Sequence, residues 1–224
     1  MVVIRLLHLS GTHAEVTMKL HSYVVRYDSG FAPNPFYGYC SLATCKPKIR
    51  SGAAVGDFLL GSGSADKSIG RGGHLVYAMR VTEALNFTQY DTDPRFQNKK
   101  PYRHGSRKQS CGDNIYYNVD VNGIWQQRDS FHSNEDGTQR SDHTAKDTNT
   151  NRVLISNEYV YFGGYGPAIP NDFRNFKGVD ICRQGVGYKS HTDIELIEAF
   201  TSWIRSLGVT GYQSAPYEWR SLRG

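Results

Sequence analysis

The chain has 224 residues, enough to bury roughly 70% of the surface its unfolded form exposes and so to fold without disulfides. Hydrophobic residues make up 38% with no run near the roughly 20 apolar residues of a spanning helix, which excludes a helical membrane protein. Aromatic residues at 12% exclude a disordered chain, and 26 basic against 21 acidic residues leave a net charge of +5, suited to a polyanionic partner.

Residues 1–17 read as an N-terminal extension ahead of a single domain over 18–224, with Met18 as an alternative start. The apolar run MVVIRLLHL is short and has no small-residue cleavage site, so it does not read as a secretory signal. The protein is therefore expected in the cytoplasm, with Cys40, Cys45, Cys111 and Cys182 as reduced thiols in the core. Their spacing does not match the paired CxxC knuckles of zinc ribbons.

Tyr23 to Val25 predict the opening strand. DFLLGSGS (57–64) is a short apolar strand ending in a Gly-Ser turn, and HLVYAMRVTEAL (74–85) alternates as one strand. FTQYDTDPRF (87–96) reads as a short helix with Thr88 near its cap, closed by Asp93-Pro94. NIYYNVDVNGIWQQ (114–127) predicts two strands around an Asn122-Gly123 hairpin turn. The stretch from 128 to 151 has hardly an apolar residue and reads as a long surface loop. RVLISNEYVYFGG (152–164) adds a strand pair. A final helix is capped by Thr192 or Asp193, carries an apolar stripe of Ile194, Ile197, Phe200, Ile204 and Leu207, and stops at Gly208. These elements predict an α+β fold: a curved, mainly antiparallel sheet or a small barrel with flanking helices.

Several clusters carry chemistry. Lys46, Lys48 and Arg50 fall within five residues ahead of a strand, where they can track phosphates, and Lys99 and Lys100 open a second basic cluster around Tyr102. The Gly-rich run GSGSADKSIGRGG (61–73) lacks the frame of a nucleotide-triphosphate loop, but its amides and Arg71 can meet a nucleic-acid phosphate. Cys111, Asp113, Asn114 and Tyr116 lie close in sequence, and His132, Asp142 and His143 follow. Cys111 with His132 would serve as nucleophile and base, and Asp113 with His132 or His143 as a base–acid pair. An Asp with two His can also ligate a metal, but none of the spacings is a metal signature, so no metal or cofactor is expected. In EYVYFGGYGPAIP (158–170), Tyr161 and Phe162 sit beside flexible backbone and offer faces to a planar base. Asn114 would pair with its edge, with Ser62 and Tyr116 completing the rim.

Taken in order, SYVVRYDSGFAPNPFYGYCSLATCKPKIR (22–50), GDFLLGSGS (56–64), HLVYAMRVTEALNFTQYDTDPRF (74–96), CGDNIYY (111–117) and RVLISNEYVYFGG (152–164) resemble the second family of nucleotide-modification-associated domains of bacteria and their phages. A weaker likeness runs to EVE and YTH domains, small PUA-like barrels that grip a modified base in an aromatic pocket. The tryptophan cage of YTH domains has no counterpart at the corresponding places. The resemblance implies a nucleic-acid-associated domain, acting on DNA or a nucleotide, that recognises a modified base in DNA modification or phage–host conflict. An enzyme working on a nucleotide or base through an Asp/His/Cys site is the alternative, and a scaffold for a protein partner is a third.

Overall fold

The computed structural model describes residues 18–118, 123–182 and 185–219. Its strands are β1 (Leu20–Val25), β2 (Cys40–Leu42), β3 (Phe58–Gly63), β4 (Leu75–Arg80), β5 (Glu83–Leu85), β6 (Tyr116–Asn118), β7 (Trp125–Gln127), β8 (Val153–Ser156), β9 (Glu158–Tyr161), β10 (Tyr188–His191) and β11 (Gly211–Tyr212). The larger sheet has the order β10-β1-β3-β4-β9-β11; a second runs β2-β8-β5, and β6 pairs with β7 alone. Pairing is mostly antiparallel, with β1 parallel to β3 and β9 parallel to β11. The sheets are open and curved, so of the two architectures expected from sequence the curved sheet is found and the closed PUA-like barrel is not.

The stretch predicted as one strand over 74–85 is bent at Val81-Thr82, so β4 stays in the larger sheet while β5 joins the second. β8 and β9 hand over between the same two sheets at Asn157, which places the sheets around a shared corner. Alternate residues then face two different cores. Leu59, Tyr77, Met79 and Tyr161 pack toward β2 and β8, with Leu42 and Leu154. Leu60, Leu75, Ala78 and Val160 pack on the opposite face. Burial on both faces explains the nearly unbroken apolar runs of β3 and β4. Gly61 is required there, because a Cβ would stand 2.4 Å from the Tyr77 ring.

The helices are α1 (Pro47–Gly52), α2 (Phe87–Thr92), α3 (Arg107–Ser110), α4 (Ser141–Thr148), α5 (Asn171–Arg174) and α6 (Ile194–Ser206). α6 packs on the larger sheet, capped by the Asp193 side chain, which accepts from the Leu196 amide at 3.1 Å. Its buried face is rotated from the expected stripe: Leu196, Ile197 and Phe200 are interior and Ile194 is exposed. α2 begins one residue before Thr88; Asn86 is its cap, in a reciprocal capping box with Gln89. The predicted hairpin exists as β6 and β7, but Asn122 lies outside the described residues. The polar stretch read as a loop contains α4 instead. No helix among the described residues is long and apolar enough to cross a membrane.

Candidate thiol site in a cationic groove

β2 ends at Leu42, and the chain turns sharply into α1 through Cys45 and Lys46, whose φ angles of 56° and 42° are both left-handed. Neither residue is glycine, so the turn carries strain of about 1 kcal/mol or more per residue and must be held by its surroundings. Two bonds hold it: the Cys45 amide donates to Asp147 Oδ1 at 2.9 Å, and Arg50 Nε donates to the Cys45 carbonyl at 2.9 Å. The turn brings Cys45 to a groove of about 1010 Å³.

The Cys45 sulfur lies 3.5 Å from His132 Nε2, and His132 Nδ1 lies 3.0 Å from Asp147 Oδ2. Asp147 also accepts from the Tyr116 hydroxyl at 3.0 Å. Its carboxylate stands 3.8 Å from the Arg50 guanidinium, which is wholly buried. Burial works against the charge on both members of the His–Asp pair, but their mutual hydrogen bond and attraction win. His132 rises to about 9, helped by Cys45, and Asp147 falls below the ordinary carboxylate range. At neutral pH an imidazolium therefore faces the Cys45 sulfur. His143, one helical turn before Asp147 on α4, places its ring 4.5 Å from the His132 ring; its own pKa is lowered by partial burial and by the His132 charge.

The residues expected from sequence are distributed differently. His132, His143 and Tyr116 reach this site, but the sulfur beside His132 is that of Cys45 rather than Cys111. Cys111 borders the same groove, yet its thiol donates to the Ser29 carbonyl at 3.0 Å and burial pushes it up to about 12. Asp113 is interior: Ser41 and Tyr90 hydroxyls donate to it at 2.7 and 2.8 Å. It therefore forms no base–acid pair with either histidine. Asp142 faces solvent and pairs with Arg140 at 2.9 Å.

The expected base pocket is dispersed by the two-faced sheet. Tyr161 is fully buried with its hydroxyl on Asp28, Phe162 packs in the cluster beneath α6, and buried Ser62 donates to the Tyr23 carbonyl at 3.4 Å. Asn114 is buried too, with its amide donating to the Tyr90 and Phe96 carbonyls. Of the basic residues, Lys46 and Lys48 border the groove. Arg50 and Lys99 are interior and cannot meet a phosphate there. Arg50 donates to the carbonyls of Cys45, Thr150, Arg152 and Asp147, and Lys99 to Asn34, Tyr39 and Ser41. Burial lowers Lys99 to about 8. Arg71 donates to the Gly166 carbonyl at 2.7 Å, and Lys100 pairs with Asp91 at 3.0 Å.

Sequence reasoning missed Cys45 and Asp147. The available signals were a cysteine directly before Lys-Pro at a helix start, and an aspartate four residues after His143, on one helical face. Neither a search of curated proteins nor a search of solved structures returned a match. The model of nucleotide modification associated domain 2 matches residues 17–223, nearly the whole chain, and the protein belongs to that family.

Proposed function

We propose that the protein is a thiol-dependent enzyme that modifies a nucleotide or a base in nucleic acid, with Cys45 as nucleophile, His132 as acid–base and Asp147 as the group that orients His132. The observation that carries this reading is the Cys45–His132–Asp147 chain of contacts at a groove bordered by lysines. In the first step the sulfur attacks an electrophilic carbon, a C–S bond forms, and the bond to the leaving group breaks with its electron pair. His132 supplies that group with the proton taken from the thiol. In the second step His132 takes a proton from water or an acceptor, which displaces the sulfur and restores the thiol. Asp147 fixes the tautomer and supports the imidazolium, and Tyr116 and the Cys45 amide hold Asp147.

The thiol chemistry is tested by iodoacetamide labelling at pH 7 with peptide mapping. Cys45 is expected to be the first cysteine labelled, about tenfold faster than in a His132→Gln protein of unchanged circular dichroism. Equal Cys45 rates in the two proteins would refute the nucleophile assignment. A module that only binds a modified base is the second reading, favoured by the aromatic residues of the groove. It predicts that Cys45→Ser leaves every function of the protein intact, whereas the enzyme loses turnover and keeps binding.

A further inference from the structure

The groove carries more cationic and aromatic surface than one small substrate can cover. Arg26 lies over Tyr27, Arg103 over Phe131 and Arg107 over Trp219, with guanidinium carbons 5.3, 4.9 and 6.0 Å from the ring centroids. All three rings border the groove, and Tyr27 and Phe131 remain 67% and 44% exposed. Arg26 also approaches Asp66 at 3.9 Å, and Arg107 donates to the Trp219 carbonyl at 3.0 Å, so both arginines are anchored beside their rings.

A second positive group surrounds the thiol. Lys46, Lys48 and Lys146 border the same groove; burial lowers the pKa of Lys46, and the nearby Lys146 charge adds to that lowering. Among the described residues none of the three makes an ion pair with a carboxylate. The acids of the groove are Asp147, already engaged by His132 and Tyr116, and Glu218, whose carboxyl is pushed up by burial.

A mononucleotide has one ring and one phosphate cluster. A groove with two exposed aromatic rings, Tyr27 and Phe131, and cations both beside those rings and along the same groove as the thiol, matches a repeating ligand in which phosphates and bases alternate. The bases must also be unstacked, because the rings of a duplex are covered by their neighbours and reach no side-chain face. We propose that the groove binds a single-stranded polynucleotide across Cys45, with phosphates at Lys46, Lys48 and Lys146 and bases against Tyr27 and Phe131, while Trp219, stacked on Phe36, forms part of the wall. This rests on the nucleotide reading above and deepens it by naming the form of the substrate.

The test is fluorescence anisotropy of the full chain with labelled single strands of about twelve nucleotides, DNA and RNA, within the site sizes of single-strand binders. Duplex DNA and a mononucleotide serve as competitors. At least one single strand is expected to bind about tenfold tighter than the duplex, and the preferred sugar identifies the source of the strand. Reversing charge in Lys48→Glu/Lys146→Glu, both exposed positions, should weaken binding about tenfold and reduce the salt slope by roughly 1 to 1.5. Tyr27→Ala/Phe131→Ala should weaken it comparably with the slope unchanged. Duplex binding as tight as single-strand binding overturns the inference. So does a mononucleotide that displaces the strand at equal nucleotide concentration, although the thiol reading survives that result. Conversely, strand binding that persists while Cys45 labels no faster than in His132→Gln removes the chemistry and leaves the binding surface.

Discussion

His132 is joined to Cys45 across 87 residues of chain and to Asp147 across 15, so its role is set by tertiary contact. Because its folded pKa is raised from 6.5 to about 9, its charge contributes stability that is fully present below pH 6.5 and is lost as pH rises through about 9. Urea unfolding of the native chain and of His132→Gln should therefore differ most near pH 6, by up to about 3 kcal/mol. The difference should shrink toward zero above about pH 9.5; a pH-independent difference would show that His132 is not held as an imidazolium. The sequence already displayed His132 and His143 as titratable groups in a polar stretch. It did not display which cysteine meets them, since only folding turns the Cys45 thiol to His132 and the Cys111 thiol to a carbonyl.

α4 shows why periodicity alone misplaces an element. Its buried residues, Thr144 and Asp147, are polar, so no apolar stripe marks the inner face. What holds that face is a set of polar bonds centred on Arg50, which reaches from α1 to carbonyls around the end of α4 and just beyond it. Arg50→Met leaves four carbonyls, that of Asp147 buried and the others partly so, without the Arg50 donor, and the Asp147 charge without its guanidinium. Roughly 3–5 kcal/mol of stability should be lost in thermal or urea unfolding. Arg50→Lys should not restore it, because a compact ammonium cannot span the positions that the planar guanidinium bridges. In whichever variant stays folded, slower labelling of Cys45 is expected, since the left-handed turn has lost the bond at its carbonyl. A stability change under about 1 kcal/mol would show that other contacts hold the turn.

At the scale of the molecule, Asp28 joins the loop after β1 to both β9 and the C-terminal segment. It accepts from the Tyr161 hydroxyl and, at 2.9 Å, from the Tyr217 amide. The neighbouring Trp219, which borders the groove, stacks on Phe36 at 5.6 Å and donates from Nε1 to the Ser29 carbonyl at 3.0 Å. Asp28→Ala should thus cost roughly 2–4 kcal/mol in unfolding and also weaken strand binding, by loosening a wall of the groove rather than its phosphate contacts. Weaker binding with an altered salt slope would contradict that division. The sequence by itself determined the α+β class, the apolar strands β3 and β4, the capped helix α6 and the family, because alternation, caps and residue order are local properties of the chain. Only the tertiary structure decided that Tyr161, Ser62 and Asn114 turn inward, that Arg50 and Lys99 serve the interior, and that Cys45, His132 and Asp147 meet. Those outcomes depend on which face of a doubly covered sheet a side chain occupies and on contacts between distant segments, and neither is encoded in the spacing of residues along the chain.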